Sequence, residues 1–219
     1  MPPDTAASTP LTPAGFQAET GVSRETLDRL ERYANLLLER SRVVNLVGRR
    51  TLDDLWRRHM LDSAQLIDLM PPPPVGRRRC IVDLGSGAGF PALVLAIMGA
   101  GQMHLIESTG KKASFCHEVV AATGAPAVVH GVRIAEAPPL AADVITARAL
   151  APLDKLLGYA AGFCAADTIC LFPKGRNAGQ ELTDARKAWN IAVTEYPSRT
   201  DDAGRILKIE GLGAHATKS

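Results

Sequence analysis

Three glycines at 85, 87 and 89, in "DLGSGAG", stand between an apolar run that ends in Asp83 and an apolar stretch that begins at Phe90. A second acid, Glu107 in "HLIES", lies 18 residues past Gly89. Glycine lets a backbone take positive φ and lets a ligand approach closely. A carboxylate at the end of a following strand can accept hydrogen bonds from both hydroxyls of a ribose. Asp83 can order the loop or face a ligand amine, directly or through water. In an open parallel sheet, ligands bind past the carboxyl ends of the strands, and the first strand-to-helix turn makes that crevice. These residue types therefore suit a nucleoside-bearing cofactor.

Two cofactor classes use this geometry. The dinucleotide fingerprint is G-x-G-x-x-G. Here the third glycine comes one position early and Phe90 follows it. S-adenosylmethionine carries no phosphate and needs no helix N-terminus free for a diphosphate. The loop with both acids in register favours a methyltransferase. A nicotinamide oxidoreductase stays open as a rival, as does Glu107 as a solvent-facing strand end. No Ser-His-Asp or Cys-His order suggests a nucleophilic enzyme. The cysteines at 80, 116, 164 and 170 have neither metal-ligand nor redox spacing, so no metal is expected. They suit a reducing cytoplasm.

Alternating elements must hold this loop. Short apolar runs at 79–83, 103–107, 127–130, 142–147 and 168–172 read as strands, and 90–99, 111–123, 152–162 and 177–188 read as helices. Such alternation builds a parallel sheet covered on both faces. "WNIAVTEY" and "RILKIEG" read as two last strands, pairing antiparallel at the end of the sheet. Ahead of the loop, Ser23 can cap a helix whose stripe is Leu27, Leu30, Ala34, Leu37 and Leu38. A second helix is expected over 52–69, with Leu55, His59, Ser63 and Leu66 on one face. "PPPP" at 71–74 cannot continue it. Three segments follow: a mobile tail at 1–22, rich in Pro, Thr and Ala and unlike a signal peptide; a helical segment at 23–70; and the cofactor domain at 71–219, in one unit with the helices. No run of apolar residues is long enough to span a membrane.

The chain of 219 residues has a formal net charge of only +2, but the charge is clustered. Between Arg40 and Met60 there are six arginines (40, 42, 49, 50, 57, 58) against two acids, Asp53 and Asp54. Arg77, Arg78 and Arg79 follow. The cluster suits a polyanion, or a solvated face.

Several stretches, taken in order, resemble the RsmG (GidB) family of bacterial small-subunit rRNA methyltransferases. They are "NLVG" at 45–48, "RHMLDS" at 58–63, "VDLGSGAGFP" at 82–91, "LIESTGKKASF" at 105–115, "ITARAL" at 145–150 and "PKG" at 173–175. The resemblance covers nearly all of 23–212. It implies a Rossmann-like class I methyltransferase fold: a mostly parallel seven-stranded sheet with helices on both faces and an N-terminal helical extension. It implies methyl transfer from S-adenosylmethionine, without a metal, to N7 of guanine 527 in the 530 loop of 16S rRNA. It places cofactor contacts at Gly85, Phe90, Ile134, Ala135 and Arg148. With the residue-based reading, the cofactor set is Asp83, Gly85, Gly87, Gly89, Phe90, Glu107, Ile134, Ala135 and Arg148. The chain departs from the family's R-A-E-E at 133–136, where it reads "RIAE". A contact there is then made by backbone or by Glu136.

No general base is required, because guanine N7 carries an in-plane lone pair and no proton. His59, Asp62 and Lys174 are candidates for positioning substrate, with Lys111, Lys112 and Arg176 as further RNA contacts. His59 and Asp62, three apart on one helical face, could equally be a packed His–Asp pair. Phe90, Trp56 and Phe172 are candidate stacking partners for a base. The expected partner is 16S rRNA, in the 30S subunit or an assembly intermediate, met by a cytoplasmic monomer. A small-molecule or protein methyltransferase and a non-catalytic assembly factor remain the alternatives.

Overall fold

Apolar side chains alternate along every central strand, and the alternation decides which helices each face of the sheet meets. The computed structural model describes residues 9–214. The strands are β1 (Cys80–Leu84), β2 (Gln102–Ile106), β3 (Ala127–His130), β4 (Ala142–Thr146), β5 (Cys164–Lys174), β6 (Trp189–Pro197) and β7 (Arg205–Ala214). They form one seven-stranded sheet in the order β3-β2-β1-β4-β5-β7-β6. The sheet is mixed. β1–β2, β1–β4, β2–β3 and β4–β5 pair parallel, whereas β5–β7 and β6–β7 pair antiparallel. The strand order reverses between β1 and β4, which opens a crevice at their carboxyl ends.

The helices are α1 (Pro13–Thr20), α2 (Arg24–Arg40), the single turn α3 (Asp62–Ala64), α4 (Ala92–Ile97), α5 (Gly110–Thr123), α6 (Leu153–Ala161) and α7 (Ala178–Ala185). Ile81, Met103, Leu105, Val144 and Leu171 share a core with α2, α4 and α5. Their strand neighbours Val82, Ile106, Ile145, Cys170 and Phe172 face α6 and α7. No helix among the described residues is long and apolar enough to cross a membrane.

Helix α2 begins where Ser23 accepts the Thr26 N–H, and it buries Leu27, Leu30, Tyr33, Ala34 and Leu37. Leu38, expected on that stripe, is exposed. α2 lies against α5. Arg29 Nε donates to Thr123 O at 2.8 Å and Arg32 to Ala122 O at 2.7 Å, satisfying carbonyls that a helix C-terminus leaves unpaired.

Two expectations are corrected. The tail expected at 1–22 contains α1, and Phe16 is fully buried beside Trp56, ring centroids 5.3 Å apart; residues 1–8 lie outside the described part. The helix expected over 52–69 is not continuous. It divides into a 3₁₀ stretch at 49–54, a π turn at 56–61, α3 and a 3₁₀ turn at 67–69. His59 to Leu61 and Ser63 to Leu66 are all buried, a band too wide for one face of a regular helix.

Candidate cofactor and substrate clefts

The glycine loop folds over the end of β2, where the Gly85 and Ser86 N–H groups both donate to Ile106 O. The three glycines serve different needs. A Cβ at Gly85 would stand 2.5 Å from Leu150 Cδ1, and one at Gly89 would stand 2.4 Å from Leu93 Cδ1. At Gly89 the buried Leu93 and Tyr33 leave no room, whereas at Gly85 the half-buried Leu150 tip would have to move; both glycines also have positive φ, 94° and 65°. Gly87 has φ +58° and no heavy atom nearer than Gly85 O at 4.0 Å, so open cleft lies where its side chain would be. Buried groups hold the loop from below. Tyr33 Oη donates to Ala88 O at 2.6 Å. The Cys116 thiol donates to Gly87 O, and burial pushes its pKa up to about 12, so it keeps its proton.

A cleft of about 630 Å³ opens over this loop. Gly85, Gly87, Phe90, Glu107, Ile134, Ala135 and Arg148 line it. Glu107 is 7 % exposed; its Oε2 accepts the Gly87 N–H at 2.8 Å and its Oε1 the Thr109 N–H at 2.7 Å. The carboxylate is fixed at the cleft with lone pairs left over. Ile134–Glu136 is a single 3₁₀ turn in which Glu136 bonds back to the Arg133 N–H, so the carboxylate of Glu136 serves its own turn. Asp83 and Gly89 are not in the lining. Asp83 is fully buried, its Oδ1 accepting the Thr146 hydroxyl at 2.7 Å. Its Oδ2 has no partner in the described structure. Burial raises its pKa from 3.8 to about 7, against the lowering effect of Ser86, Thr146 and Arg148.

A second cleft, about 600 Å³, lies beside the first. Arg148, Ala149 and Leu150 line both. Ala149 has φ +53°, a left-handed conformation that favours glycine and is held here only because its neighbours enforce it. Arg148 is the junction. Its Nη1 donates to Asp62 Oδ2 at 3.0 Å and Arg58 O at 3.1 Å, and its Nη2 to His59 Nδ1 at 2.8 Å. Its guanidinium carbon sits 5.0 Å from the Phe90 ring centroid, and that ring also stacks with Tyr33 and with His59.

The hydrogen bonds assign the His59 tautomer. Thr51 Oγ1 donates to Gly48 O, so it accepts from His59 Nε2 at 2.8 Å, and Nδ1 is left to accept from Arg148. Burial, then Arg148, then Arg58 lower the His59 pKa to about 3, so the ring is neutral. His59 and Asp62 therefore do not pair with each other; both bind Arg148. Asp62 Oδ1 also accepts the Thr200 hydroxyl at 2.7 Å, tying the β6–β7 turn to this wall. Lys174 lines the second cleft, but its Nζ is engaged by Ala151 O and Glu181, both at 2.8 Å.

The sequence model of rRNA small subunit methyltransferase G, designated GidB, matches residues 26–202. The chain belongs to this family. Ribosomal RNA small subunit methyltransferase G of Rhodospirillum centenum is 57 % identical over 199 residues, covering 90 % of this chain and 89 % of that protein. The Paramagnetospirillum magneticum protein of the same name is 53 % identical over 197 residues, covering 90 % and 94 %. Among solved structures, an MtNAS variant in complex with S-adenosylmethionine superposes with TM-score 0.56 at 14 % identity, over 91 % of this chain and 84 % of that one. A SAM-dependent methyltransferase from Aquifex aeolicus gives 0.55 at 16 %, over 73 % and 95 %. These two establish the fold.

In this GidB-family chain the base-stacking candidates are corrected. Phe172 is buried and Trp56 packs on Phe16, whereas Phe90, 3 % exposed, lines the first cleft rather than the second. Residues not singled out by sequence also line the first cleft, among them Leu46, Val47, Leu150 and Tyr159. Leu46 and Val47 belong to "NLVG" and Leu150 to "ITARAL", stretches quoted for the resemblance without a cofactor contact assigned to these residues, and Tyr159 lies in α6. Among the described residues, no group of three or more His, Cys, Asp or Glu could hold a metal ion.

Proposed function

We propose that this chain transfers a methyl group from S-adenosylmethionine to N7 of guanine 527 in the 530 loop of 16S rRNA. Family membership supports rRNA as substrate. The observation that carries the reading is the shared wall of the two clefts, Arg148 to Leu150. A cofactor in one would meet a base in the other at that wall.

The first cleft fits S-adenosylmethionine by its own chemistry. Gly87 leaves room, Glu107 presents a fixed carboxylate to a ribose diol, and Asp83 keeps one carboxylate oxygen unpaired beneath the loop. The bound cofactor supplies a sulfonium methyl, an electrophile that needs only a lone pair in line with it. Guanine N7 offers that lone pair without losing a proton. The titratable groups match this. His59 is neutral with both nitrogens engaged, and Lys174 is ion-paired, so neither is a free base. Arg148 must stay off N7, because donating there would occupy the lone pair. Its Nη1 and Nη2 bonds to Asp62, Arg58 O and His59 hold it back. As N7 becomes cationic, Asp201 is, among the described residues, the acid on the second cleft not engaged in an ion pair, since Asp62 pairs with Arg148 and Glu181 with Lys174.

The test is methyl transfer from tritiated S-adenosylmethionine to 30S subunits lacking the modification, with mapping of the labelled base. Label on a single guanine N7 in the 530 loop is expected. Cofactor binding with no label on rRNA would overturn the substrate and leave the fold intact.

A further inference from the structure

The arginine cluster divides in two once its partners are known. Arg40 binds Glu118 at 2.7 Å, Arg57 binds Asp54 at 3.2 Å, and Arg77 holds Asp143 with two bonds of 2.6 Å. Arg79 is 6 % exposed and donates to Ala100 O and Pro71 O. These four brace the fold. Arg42, Arg49, Arg50, Arg58 and Arg78 are exposed, and their guanidinium groups have no partner among the described residues.

Three of these five, Arg42, Arg49 and Arg50, belong to one segment. After α2 the chain turns at Val43 and Val44, whose N–H groups both donate to Arg40 O, and turns again where the Thr51 N–H donates to Gly48 O. Between the turns it has no regular structure. Its side chains divide by face. Leu46 is buried, and both Leu46 and Val47 line the glycine-loop cleft. Leu46 also lines a groove that holds Arg40, Lys111 and Ser114. At the far end Thr51 and Arg58 line the second cleft. The segment thus runs past the groove and the glycine-loop cleft to the edge of the second cleft at Thr51, with Leu46 and Val47 inward and the unpaired guanidinium groups, along with Val43, outward.

We propose that residues 42–50 form a two-faced strap. Arg42, Arg49 and Arg50 take rRNA phosphates on its outer face, while Leu46 and Val47 wall the cofactor cleft on its inner face, so rRNA binding and cofactor binding strengthen each other. This rests on rRNA being the substrate. Exposed, unpaired arginines beside a base-sized opening are suited to phosphate, which a planar guanidinium binds through two donors. The inner face supplies the link. Phosphates that fix the strap also fix Leu46 and Val47 against the cofactor, and binding free energies at two linked sites are reciprocal.

The experiment uses the full chain, 16S rRNA free and in 30S subunits, and S-adenosylhomocysteine as an unreactive cofactor probe. RNA affinity is followed against salt for the parent, for R49A/R50A and for R78A. Arg78 is the control, exposed and unpaired at the opposite ends of the strands. Each lost phosphate contact lowers the slope of log K against log salt by roughly 0.7–0.9. R49A/R50A is expected to lose about twice that, and R78A nothing. The probe is expected to bind the parent several-fold tighter with RNA present, and the double variant with little such gain. An unchanged slope in R49A/R50A, or an equal loss in R78A, overturns the phosphate surface. Equal probe affinity in the parent with and without RNA overturns the coupling. Failure of methyl transfer with the slope difference intact would remove the proposed reaction and leave the strap standing.

Discussion

Arg148 makes three hydrogen bonds and covers an aromatic ring with one planar group, which a lysine cannot reproduce. R148K should fold, and should lower kcat/KM about 100-fold, roughly 2.7 kcal/mol of transition-state stabilisation. Steady-state methyl transfer with a melting curve on the same sample checks both halves. His59 acts on Arg148 through Nδ1, and the amide of asparagine reaches about that atom while glutamine's reaches Nε2. H59N should therefore keep several-fold more activity than H59Q, whereas a residue that only fills space would not rank the two this way. The glycines offer a parallel contrast. G87A should weaken S-adenosylhomocysteine binding by calorimetry at a stability cost of about 1–2 kcal/mol, the price of a left-handed alanine. G89A should lose stability first, because its methyl group meets Leu93 and the Tyr33 hydroxyl. A melt unchanged in G89A would remove that distinction.

At the level of elements, α1 buries one aromatic residue, Phe16, and adds an ion pair from Glu19 to Arg199 at its exposed side. F16A should cost about 3–5 kcal/mol by urea unfolding, as expected for a large buried side chain; a loss under 1 kcal/mol would return residues 13–20 to the status of a tail. Its signature was legible in hindsight: Thr12 caps, Pro13 starts, Gly21 stops in the left-handed conformation, and Phe16 lies between. A Pro- and Thr-rich composition concealed it. The strands β1 to β4 were readable to within a residue or two: the apolar runs of β1 and β4 are buried on both faces, and β3, at the sheet edge with Val128 exposed, is a short β-branched run between turns. β5 is longer than its apolar run, since its first residues continue past a register shift opposite Ala142–Val144. The helix over 52–69 misled because its pattern answers to Arg148 and the sheet rather than to a helical period. The same holds for the site. Gly87 and Glu107, which line the first cleft, were readable because a loop and a strand end fix them locally, whereas Ile134 came only from the resemblance. That Asp62 and His59 converge on Arg148, 86 and 89 residues away, depends on tertiary packing alone.

Across the whole molecule, two buried groups around this site oppose each other in pH. His59 titrates near 3 in the folded chain against 6.5 as a model group, so the unfolded chain binds the extra proton between those values and stability falls as pH drops through that window. Asp83 titrates near 7 against 3.8, so the folded chain binds the extra proton there and stability falls as pH rises through its window. Each contributes up to roughly 1.4 kcal/mol per pH unit, with opposite sign, and the windows overlap from about pH 4 to 6.5. The parent chain therefore gains no net slope from this pair. Removing either partner should expose the other. Relative to the parent, D83N should gain stability as pH rises across that range, and H59Q should lose it, each with a slope near 1.4 kcal/mol per unit. Urea unfolding at half-unit intervals measures both, and the carboxylates elsewhere cancel in the difference. Curves that run parallel to the parent would mean that Asp83 is ionised and His59 is not held neutral. His59 would then carry a proton on Nδ1, where the hydrogen bond from Arg148 requires a lone pair.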